Sequence, residues 1–507
     1  MSDRPQRRAR DAEVLVIGAG TSGSVLATLL ARRGVDVVLL EAGGVPVPPP
    51  WWSLRGAFDP ATSDGAEVLL DDGRMITTRR GRGVGGSAAV NGCYWIRGTA
   101  DDHRDWVDAT GDPRWSPDRL DGLADTLEDD LDAERTDRTR IGGPIPVWRD
   151  ADLEPVSDAF AAAATARGHR WVDDLNGGTL LGVGPVPFNV RDGRRVDPAE
   201  ALGLRGPTAP SGVRLEASTR VDRLEVEHGR VVGVDALGPS GPRRWRAERV
   251  VCCAGSLGTA TLLLRSGIGP AHHLRAAGHE VVADLPVGAA AWDHPCIDLP
   301  YLPRPGVVPD TVTSFMQLAL HLEGPEPGGL VEILPTRRPY GVVTGEDPAD
   351  RLLHLRVTLL QPRSRVRVRL GPGEAPELSQ VGPDPLGDLP ALCAAVAITT
   401  ALARTSDCSA VVADWHGPTS EHLGDPAQLD AWVAERVGSA YHLGGTAPMG
   451  RPDTPGAVVD GQLRVIGVAG LWVADAAVLP TPLRRGPAAT AAVLGAMAVD
   501  LVTSPSG

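Results

Sequence analysis

Lysine is absent from this 507-residue chain, and all 50 of its basic residues are arginine. That absence excludes mechanisms that need an amine, such as a Schiff base, the anchoring of pyridoxal phosphate or a P-loop lysine. Cysteine is scarce, and the six cysteines have no spacing typical of metal ligands. We therefore expect reduced thiols and no metal site.

Long apolar runs and excess positive charge are lacking as well. No apolar run reaches the roughly 18 residues that a membrane helix needs, and the net charge of -14 argues against nucleic acid as a partner. Arg7 and Arg8 precede an apolar stretch, but Asp11 and Glu13 interrupt the pattern of an export signal. We expect a cytoplasmic protein, with peripheral attachment to a membrane as the alternative.

A nucleotide-binding pattern lies between residues 13 and 43. The apolar run 14–17 is typical of a buried parallel strand, and residues 18–23 then read G-x-G-x-x-G. Gly18 permits the tight turn, Gly20 lets a pyrophosphate approach the backbone, and Gly23 lets the following helix pack on the strand. Glu41 closes the second strand, where it can accept both ribose hydroxyls. The segment predicts a dinucleotide site and leaves FAD and NAD as alternatives.

Later segments repeat this combination of apolar strand and glycine or acid. Residues 81–98, GRGVGGSAAVNGCYWIRG, have the glycine density of backbone that lies against a ligand. Residues 249–270 predict a strand, a Gly-Ser turn and a helix, and residues 470–480 predict a strand that ends at Asp475. A helix is predicted over 488–502. These strand ends indicate one sheet that closes around one long ligand.

Two charged stretches have simple structural interpretations. The acidic run 118–137 predicts a solvated helix face. Residues 365–370, RVRVRL, alternate strictly, which predicts a strand with one wet, basic face and one buried face.

In this order the motifs resemble those of the GMC (glucose-methanol-choline) oxidoreductases, which are FAD enzymes. Residues 81–98 are similar to the first family signature and residues 255–269 to the second, with Ala260 as a departure. LPVGAAAWDHP, at 285–295, resembles a third motif, with Ala290 in place of an asparagine. YHLGGTAPMG, at 441–450, resembles the segment that holds the catalytic histidine.

The resemblance implies an α/β fold, α+β overall, with a discontinuous Rossmann-type FAD-binding domain and a substrate domain that combines a mostly antiparallel sheet with helices. The FAD-binding domain would take residues 11–100, 213–290 and 438–507, and the substrate domain 101–212 and 291–437. The residues that match the family's FAD contacts are Gly18, Gly20, Thr21, Ser22, Gly23, Glu41, Ala42, Val84, Gly86, Ser87, Asn91, Gly92, Cys93, Val221, Ala254, Asp475, Ala476 and Pro487.

The resemblance also assigns a role to His442. An alcohol releases a hydride readily only as its hydroxyl proton leaves, and an imidazole is suited to accept that proton. By resemblance, His442 is the base while the hydride passes to N5 of the flavin. We expect the glycines beside it to let substrate come close to the ring, and the rate to rise with pH near the reference value of about 6.5. His294, before Pro295, is interpreted as structural.

The sequence departs from the family after 479–480, where a second polar active-site residue is usual. Gly486 and Ala488 stand at the matching positions, and in the subgroup discussed next a histidine is usual at the latter. Arg484 or Arg485 could donate a hydrogen bond instead, but arginine cannot act as a base at neutral pH. The alternative is that both arginines are exposed.

Short phrases at 142–149, 182–196 and 484–490 are similar to the mycofactocin-system subgroup of the family. That likeness implies oxidation of reduced mycofactocin, a peptide-derived redox carrier, with an electron acceptor of the respiratory chain as partner. The alternatives are a generic choline or alcohol dehydrogenase of the family acting on a small molecule, a flavin-binding paralogue with weak or no turnover, and a lyase on the same fold.

Overall fold

A computed structural model of the chain describes residues 10–136, 142–206, 210, 212–309, 314–324, 329–381 and 387–504. Its first sheet has seven strands, of which the parallel ones carry the nucleotide-binding turn. The parallel part runs in the order Val213–Glu216, Val37–Leu40, Ala12–Ile17, Gly241–Cys252 and Leu471–Val473. Arg230–Gly238 and Arg220–Glu227 extend Gly241–Cys252 as an antiparallel meander.

Helices cover the parallel strands, which are continuous apolar runs because both of their faces are buried. The helices that begin beside the strand ends are Thr21–Arg32, Gly255–Arg265 and Ala488–Thr503. Ala488–Thr503 packs on Thr21–Arg32, where the Ser22 hydroxyl donates to the Ala491 carbonyl at 2.7 Å.

A second seven-stranded sheet is antiparallel throughout. Helices Pro155–Ala166, Leu389–Ala403 and Pro426–Arg436 share one apolar cluster with it. Its other face is turned toward the glycine-rich segment 81–98, since Leu334 shares a cluster with Cys93 and Ile96. The strands lie in the order Val412–Trp415, Pro295–Pro303, Leu353–Leu359, Leu330–Pro335, Leu318–Glu323 and Gly182–Pro185, and Gly438–Ser439 pairs with Pro295–Pro303.

Smaller elements complete the described part of the chain. One sheet joins Arg365–Leu370, Pro376–Val381, Ser63–Leu69 and Met75–Gly81, and another joins Glu128–Asp130, Ile145–Arg149 and Pro187–Phe188. Two-stranded pairs are Val190–Arg191 with Arg194–Arg195 and Ile268–Gly269 with Ala283–Asp284. The remaining helices are Arg55–Phe58, Ala100–Thr110, Pro117–Leu127, Ala133–Thr136, Pro198–Ala201, Ala271–Ala276, Tyr340–Thr344, Ser406–Val411 and Ser420–Gly424, with 3₁₀ turns at Gly86–Ala89, Pro113–Trp115, Pro372–Glu374 and Ala476–Val478.

The predicted fold class is confirmed: a parallel, Rossmann-type sheet is combined with an antiparallel sheet and helices. The predicted helix at 488–502 and the strand at 365–370 are present, and Val368 and Leu370 are buried on one face of that strand. The predicted domain boundaries stay a prediction. Over the described ranges, no helix has the length and apolar character needed to cross a membrane.

Part of the acidic run is buried, which corrects the prediction of a solvated helix face. Glu128, Asp129 and Asp130 leave the helix and form a buried strand. Arginines offset the cost of burying these carboxylates: Arg97 contacts Glu128 at 2.6 Å, and Arg149 contacts Asp130 at 2.9 Å. The pattern of charge alone does not distinguish such a strand from a wet helix.

Two glycines within helices are expected to respond oppositely to alanine. A Cβ at Gly495 would lie 2.3 Å from the Ser22 carbonyl oxygen, whereas a Cβ at Gly122 would have no neighbour within 4 Å. Gly495→Ala should therefore destabilise by about 1–3 kcal/mol, and Gly122→Ala should stabilise by about 0.5–1 kcal/mol. Urea unfolding of the two variants and the parent measures both changes. Equal effects of the two substitutions would contradict the helix packing described above.

Candidate active site

The predicted dinucleotide turn lies at the carboxyl end of strand Ala12–Ile17. Gly18 has a φ of 102°, which disfavours a side chain, and Gly20 is the N-cap of helix Thr21–Arg32 without a side-chain cap. The first-turn N–H groups of that helix are therefore open to an anion. The second glycine-rich segment comes close, since a Cβ at Gly86 would lie 2.8 Å from Cα of Gly20.

Glu41 ties these two glycine segments together. Its carboxylate accepts hydrogen bonds from the backbone N–H groups of Ala19 at 2.9 Å, Gly43 at 2.8 Å and Gly83 at 3.0 Å. A carboxylate has about four acceptor sites, so one remains for a ribose hydroxyl. Glu41 thus holds the turn in shape in addition to its predicted contact with the ribose.

Asp475 also holds backbone in place, at the end of strand Leu471–Val473. It accepts from the backbone N–H groups of Gly255 and Ala477, both at 2.8 Å, and from the Thr259 hydroxyl at 2.6 Å. Burial raises its pKa to about 6, although these hydrogen bonds lower it. Ala254 lies beside Gly18, because a Cβ at Gly18 would meet Cα of Ala254 at 2.9 Å.

The other predicted FAD contacts divide by what their side chains do. The Ser22 hydroxyl binds the Ala491 carbonyl, and the Ser87 hydroxyl accepts from the backbone N–H of Gly81, so both are committed to the protein. Thr21 and Gly23 lie in the first turn of helix Thr21–Arg32, Pro487 is the N-cap of helix Ala488–Thr503, and Ala476 begins the 3₁₀ turn Ala476–Val478. Ala42 follows Glu41, and Val221 lies in strand Arg220–Glu227. The glycine-rich segment 81–98 contains the others, which are Val84, Asn91, Gly92 and Cys93. Their donor set, with one open helix N-terminus and an acid at the ribose position, fits a dinucleotide.

His442 follows a residue with unusual backbone geometry. Tyr441 has a φ of 65°, a conformation that costs of order 1–3 kcal/mol outside glycine. Three contacts hold this bend: Arg80 donates to the Tyr441 carbonyl, the Ser439 hydroxyl accepts from the Tyr441 N–H at 2.8 Å, and Asp293 accepts from the His442 N–H at 2.7 Å. The histidine is thus presented from a bend that its surroundings fix.

The His442 ring contacts a second histidine, His294, which the sequence alone indicates to be structural. Nδ1 of His294 lies 3.0 Å from Nδ1 of His442, and the two rings are nearly perpendicular. Nε2 of the fully buried His294 lies 2.9 Å from the Leu483 carbonyl oxygen. The D-H-P motif singles out His294 in the sequence, but no spacing rule predicts a contact between two residues 148 positions apart.

These contacts determine where the two rings carry their protons. Burial lowers the pKa of His294, and burial together with His294, Arg80 and Arg356 lowers the pKa of His442 well below its ordinary value. Both rings are therefore neutral near pH 7. Because the Leu483 carbonyl can only accept, Nε2 of His294 carries its proton, and Nδ1 of His294 accepts from Nδ1 of His442. Nε2 of His442 is left with a free lone pair, as a general base requires.

The glycines after His442 have a packing role. A Cβ at Gly444 would lie 2.4 Å from the Trp292 ring, and one at Gly445 would lie 2.8 Å from it. These glycines let the indole pack beneath the histidine pair, where the Trp292 and His294 rings are 5.2 Å apart. That these glycines also let substrate come close to the His442 ring stays a prediction.

The position that faces His442 is Gly486. A Cβ there would lie 3.7 Å from Cε1 and 3.9 Å from Nε2 of His442, at ordinary contact distance. Ala488 instead packs in an apolar cluster beside Trp95. The two arginines are not exposed: Arg484 pairs with Asp105 at 2.7 Å, and Arg485 is buried.

Comparison with known proteins places these residues in a family context. The N-terminal GMC oxidoreductase family model matches residues 12–296, and the C-terminal model matches residues 361–495. An uncharacterized GMC-type oxidoreductase from the thcA 5' region of Rhodococcus erythropolis is 33% identical over 95% of this chain and 96% of that protein. Pyridoxine 4-oxidase of Microbacterium luteolum is 30% identical over 94% and 96%. Oxygen-dependent choline dehydrogenase of Stenotrophomonas maltophilia is 31% identical over 92% and 90%.

Solved structures agree in fold. A pyridoxine 4-oxidase from Mesorbium loti superposes with a TM-score of 0.85 at 26% identity, covering 96% of this chain and 98% of that one. A formate oxidase reaches a TM-score of 0.85 at 20% identity over 97% and 98%, which shows likeness of fold alone.

The Glu41 carboxylate gives the first test of the cofactor site. Glu41→Gln removes a charged acceptor of three backbone hydrogen bonds, and we expect FAD affinity to fall about tenfold or more. FAD retained per chain, and the rise in melting temperature on addition of FAD, measure the change. Glu13→Gln, at an exposed acid near the start of strand Ala12–Ile17, is the matched control. Equal retention of FAD by the two variants would count against this placement of the ribose.

Proposed function

Because this chain belongs to the GMC oxidoreductase family and is an FAD-dependent oxidoreductase, we propose that it oxidises a CH–OH group with His442 as general base. The observation that supports this proposal most directly is the tautomer of His442, whose Nε2 is left unprotonated by the contact with His294. When bound, FAD supplies the acceptor for the hydride. The relatives named choline dehydrogenase and pyridoxine 4-oxidase favour an alcohol as substrate.

The protein's own part is to take the hydroxyl proton at Nε2 of His442. A base acts on substrate only in its neutral form, and the lowered pKa of His442 keeps it neutral over the physiological range. Once Nε2 is protonated, the ring is a cation, a form that burial, Arg80 and Arg356 disfavour. His294 is a positioning residue here. Both of its ring nitrogens are bonded within the protein, so it orients the His442 ring without contacting substrate.

For the physiological substrate we propose reduced mycofactocin, with electrons passed on to a carrier of the respiratory chain. The support is the set of short phrases at 142–149, 182–196 and 484–490. A generic dehydrogenase for choline or another small alcohol is the alternative within the same chemistry. We also propose the division into FAD-binding and substrate domains given by the sequence, with both histidines where the two meet.

A second candidate function is flavin binding with weak or no turnover. It is favoured by Gly486, because this position next to His442 has no side chain to orient substrate. Loss of one positioned acid–base group costs on the order of 100-fold in rate. Activity of the parent protein decides between the two candidates.

His442→Ala should keep the fold and the FAD but reduce flavin reduction by about 100-fold or more. The rate is measured by rapid mixing with alcohol under anaerobic conditions, with the loss of flavin absorbance at about 450 nm as the signal. In the parent, the rate should be constant above about pH 6.5 and fall only at lower pH, because the pKa of His442 is depressed below that reference.

His228→Ala, at an exposed histidine, is the matched control and should react like the parent. A His442→Ala variant as fast as this control removes His442 from the mechanism. An inactive parent that gains activity from Gly486→His would support the second candidate function, since the new ring would stand at the position that faces His442.

Reduced mycofactocin should bleach the flavin of the parent at least about tenfold faster than ethanol or choline at equal concentration, if a carrier is the natural substrate. Single-turnover mixing of the same enzyme preparation with each compound provides the rates. Ethanol or choline reacting as fast as mycofactocin would reject the carrier and favour the generic dehydrogenase.

A further inference from the structure

One strand of the antiparallel sheet places an acid on the face that is turned toward the glycine-rich segment 81–98. In Leu330–Pro335, Val331 and Ile333 belong to the apolar cluster beneath the helices. Side chains alternate along a strand, so Glu332 points to the opposite face, as Leu334 does. Glu332 is 3% exposed, and an acid in the centre of a buried strand requires an explanation.

Neutral groups hold the Glu332 carboxylate. The Tyr94 hydroxyl donates to Oε2 at 3.0 Å, and Nε2 of His321 donates to the same oxygen at 2.9 Å. Burial and the charge of Arg485 lower the pKa of His321 to about 4, so this ring is uncharged near neutrality. Within the described ranges both hydrogen bonds use Oε2, and Oε1 is left for another donor.

A cation that contacts this carboxylate is missing from the described part of the chain. Arg485 lies near enough for its charge to act on Glu332, but its guanidinium donates to the carbonyls of Leu180 at 2.6 Å and Arg484 at 3.2 Å. A buried carboxylate is usually paired with a cation in contact. In addition, Nδ1 of His321 is a buried acceptor without a hydrogen-bond partner. The site therefore offers one acceptor, Oε1 of Glu332, that a donor from outside the chain can satisfy.

The carboxylate lies on the side of the candidate active site. Glu332 pairs across the sheet with Thr358, which pairs with Cys296, two residues after His294. Two strand spacings separate the backbones of Glu332 and Cys296 by about 10 Å. The loop that carries Arg485 also places Gly486 against His442. A molecule between these groups would have one end at the base and the other at the acid.

We propose that Glu332 is a specificity-determining residue that binds a protonated amine, or another cationic N–H donor, on the alcohol substrate. This inference rests on the proposed function, because it assigns the carbinol to His442 and the amine to Glu332. Because Glu332 lies two strands away from the segment that follows His294, the expected substrates carry the amine on a spacer, such as a benzene ring, that holds it apart from the carbinol. Arg485, whose charge acts on Glu332, would disfavour substrates whose second group is a cation too bulky to reach Oε1.

A series of para-substituted benzyl alcohols tests the proposal on the FAD-loaded parent. The substituents are aminomethyl, methyl and carboxylate, which differ chiefly in charge. We expect kcat/KM for the aminomethyl compound to exceed that for the methyl compound by about tenfold, the value of one charge-assisted hydrogen bond. The carboxylate should react most slowly. A preference for the carboxylate would overturn the proposal and assign recognition to Arg485.

Glu332→Gln should remove that preference through a higher KM for the aminomethyl compound, with kcat/KM for the methyl compound within about twofold of the parent. Glu323→Gln, at an exposed acid on the neighbouring strand, is the matched control. Tyr94→Phe keeps the carboxylate and should keep the preference, which supplies a second variant if Glu332→Gln fails to fold. An unchanged preference in Glu332→Gln contradicts the assignment.

Binding without turnover separates this proposal from the proposed function. Calorimetric titration of the FAD-loaded protein with 4-methylbenzylamine, which has no hydroxyl, should give an affinity that falls about tenfold in Glu332→Gln. That result would support the amine site even if no alcohol reduced the flavin. Equal affinity of parent and variant would reject the amine site even if alcohols were oxidised.

Discussion

The contact between Nδ1 of His294 and Nδ1 of His442, 3.0 Å long, is the interaction on which the account of the site depends. Two neutral imidazoles can make this contact only if one ring donates and the other accepts. The Leu483 carbonyl determines which ring donates, because it can only accept a hydrogen bond and therefore requires the proton of His294 to be on Nε2. A backbone carbonyl thus determines the proton position on the proposed base.

The rest of the structure supports that pair by fixing backbone with carboxylates. Asp293 accepts from the His442 N–H, Glu41 joins three backbone N–H groups of two glycine segments, and Asp475 caps the turn into helix Gly255–Arg265. Each acid follows a strand or lies in a turn next to one, where backbone donors have no partner in the sheet. Burial then lowers the pKa of the histidines and favours their uncharged forms. The same low dielectric strengthens the influence of Arg80 and Arg356.

Much of the fold could be predicted from the sequence because the local pattern and the tertiary role agree there. The turn at Gly18 and the helix at 488–502 follow from short-range rules on glycine and apolar periodicity. Contacts across long separations could not be predicted in the same way. Gly444 makes room for the Trp292 ring, and the Ser22 hydroxyl donates to the Ala491 carbonyl. The sequence spacing predicts neither of these contacts. The position that faces His442 is likewise Gly486, because Ala488 turns into an apolar cluster.

The proton position on His442 is the central claim, and nitrogen-15 NMR of histidine-labelled, FAD-loaded protein measures it most directly. Comparison with a His442→Gln variant assigns the two ring signals. Near neutral pH, the account predicts a protonated Nδ1 and an unprotonated Nε2, and a change of this pattern when His294 is replaced by leucine. A protonated Nε2 in the parent protein would contradict it, because no free lone pair would then be available to the substrate hydroxyl.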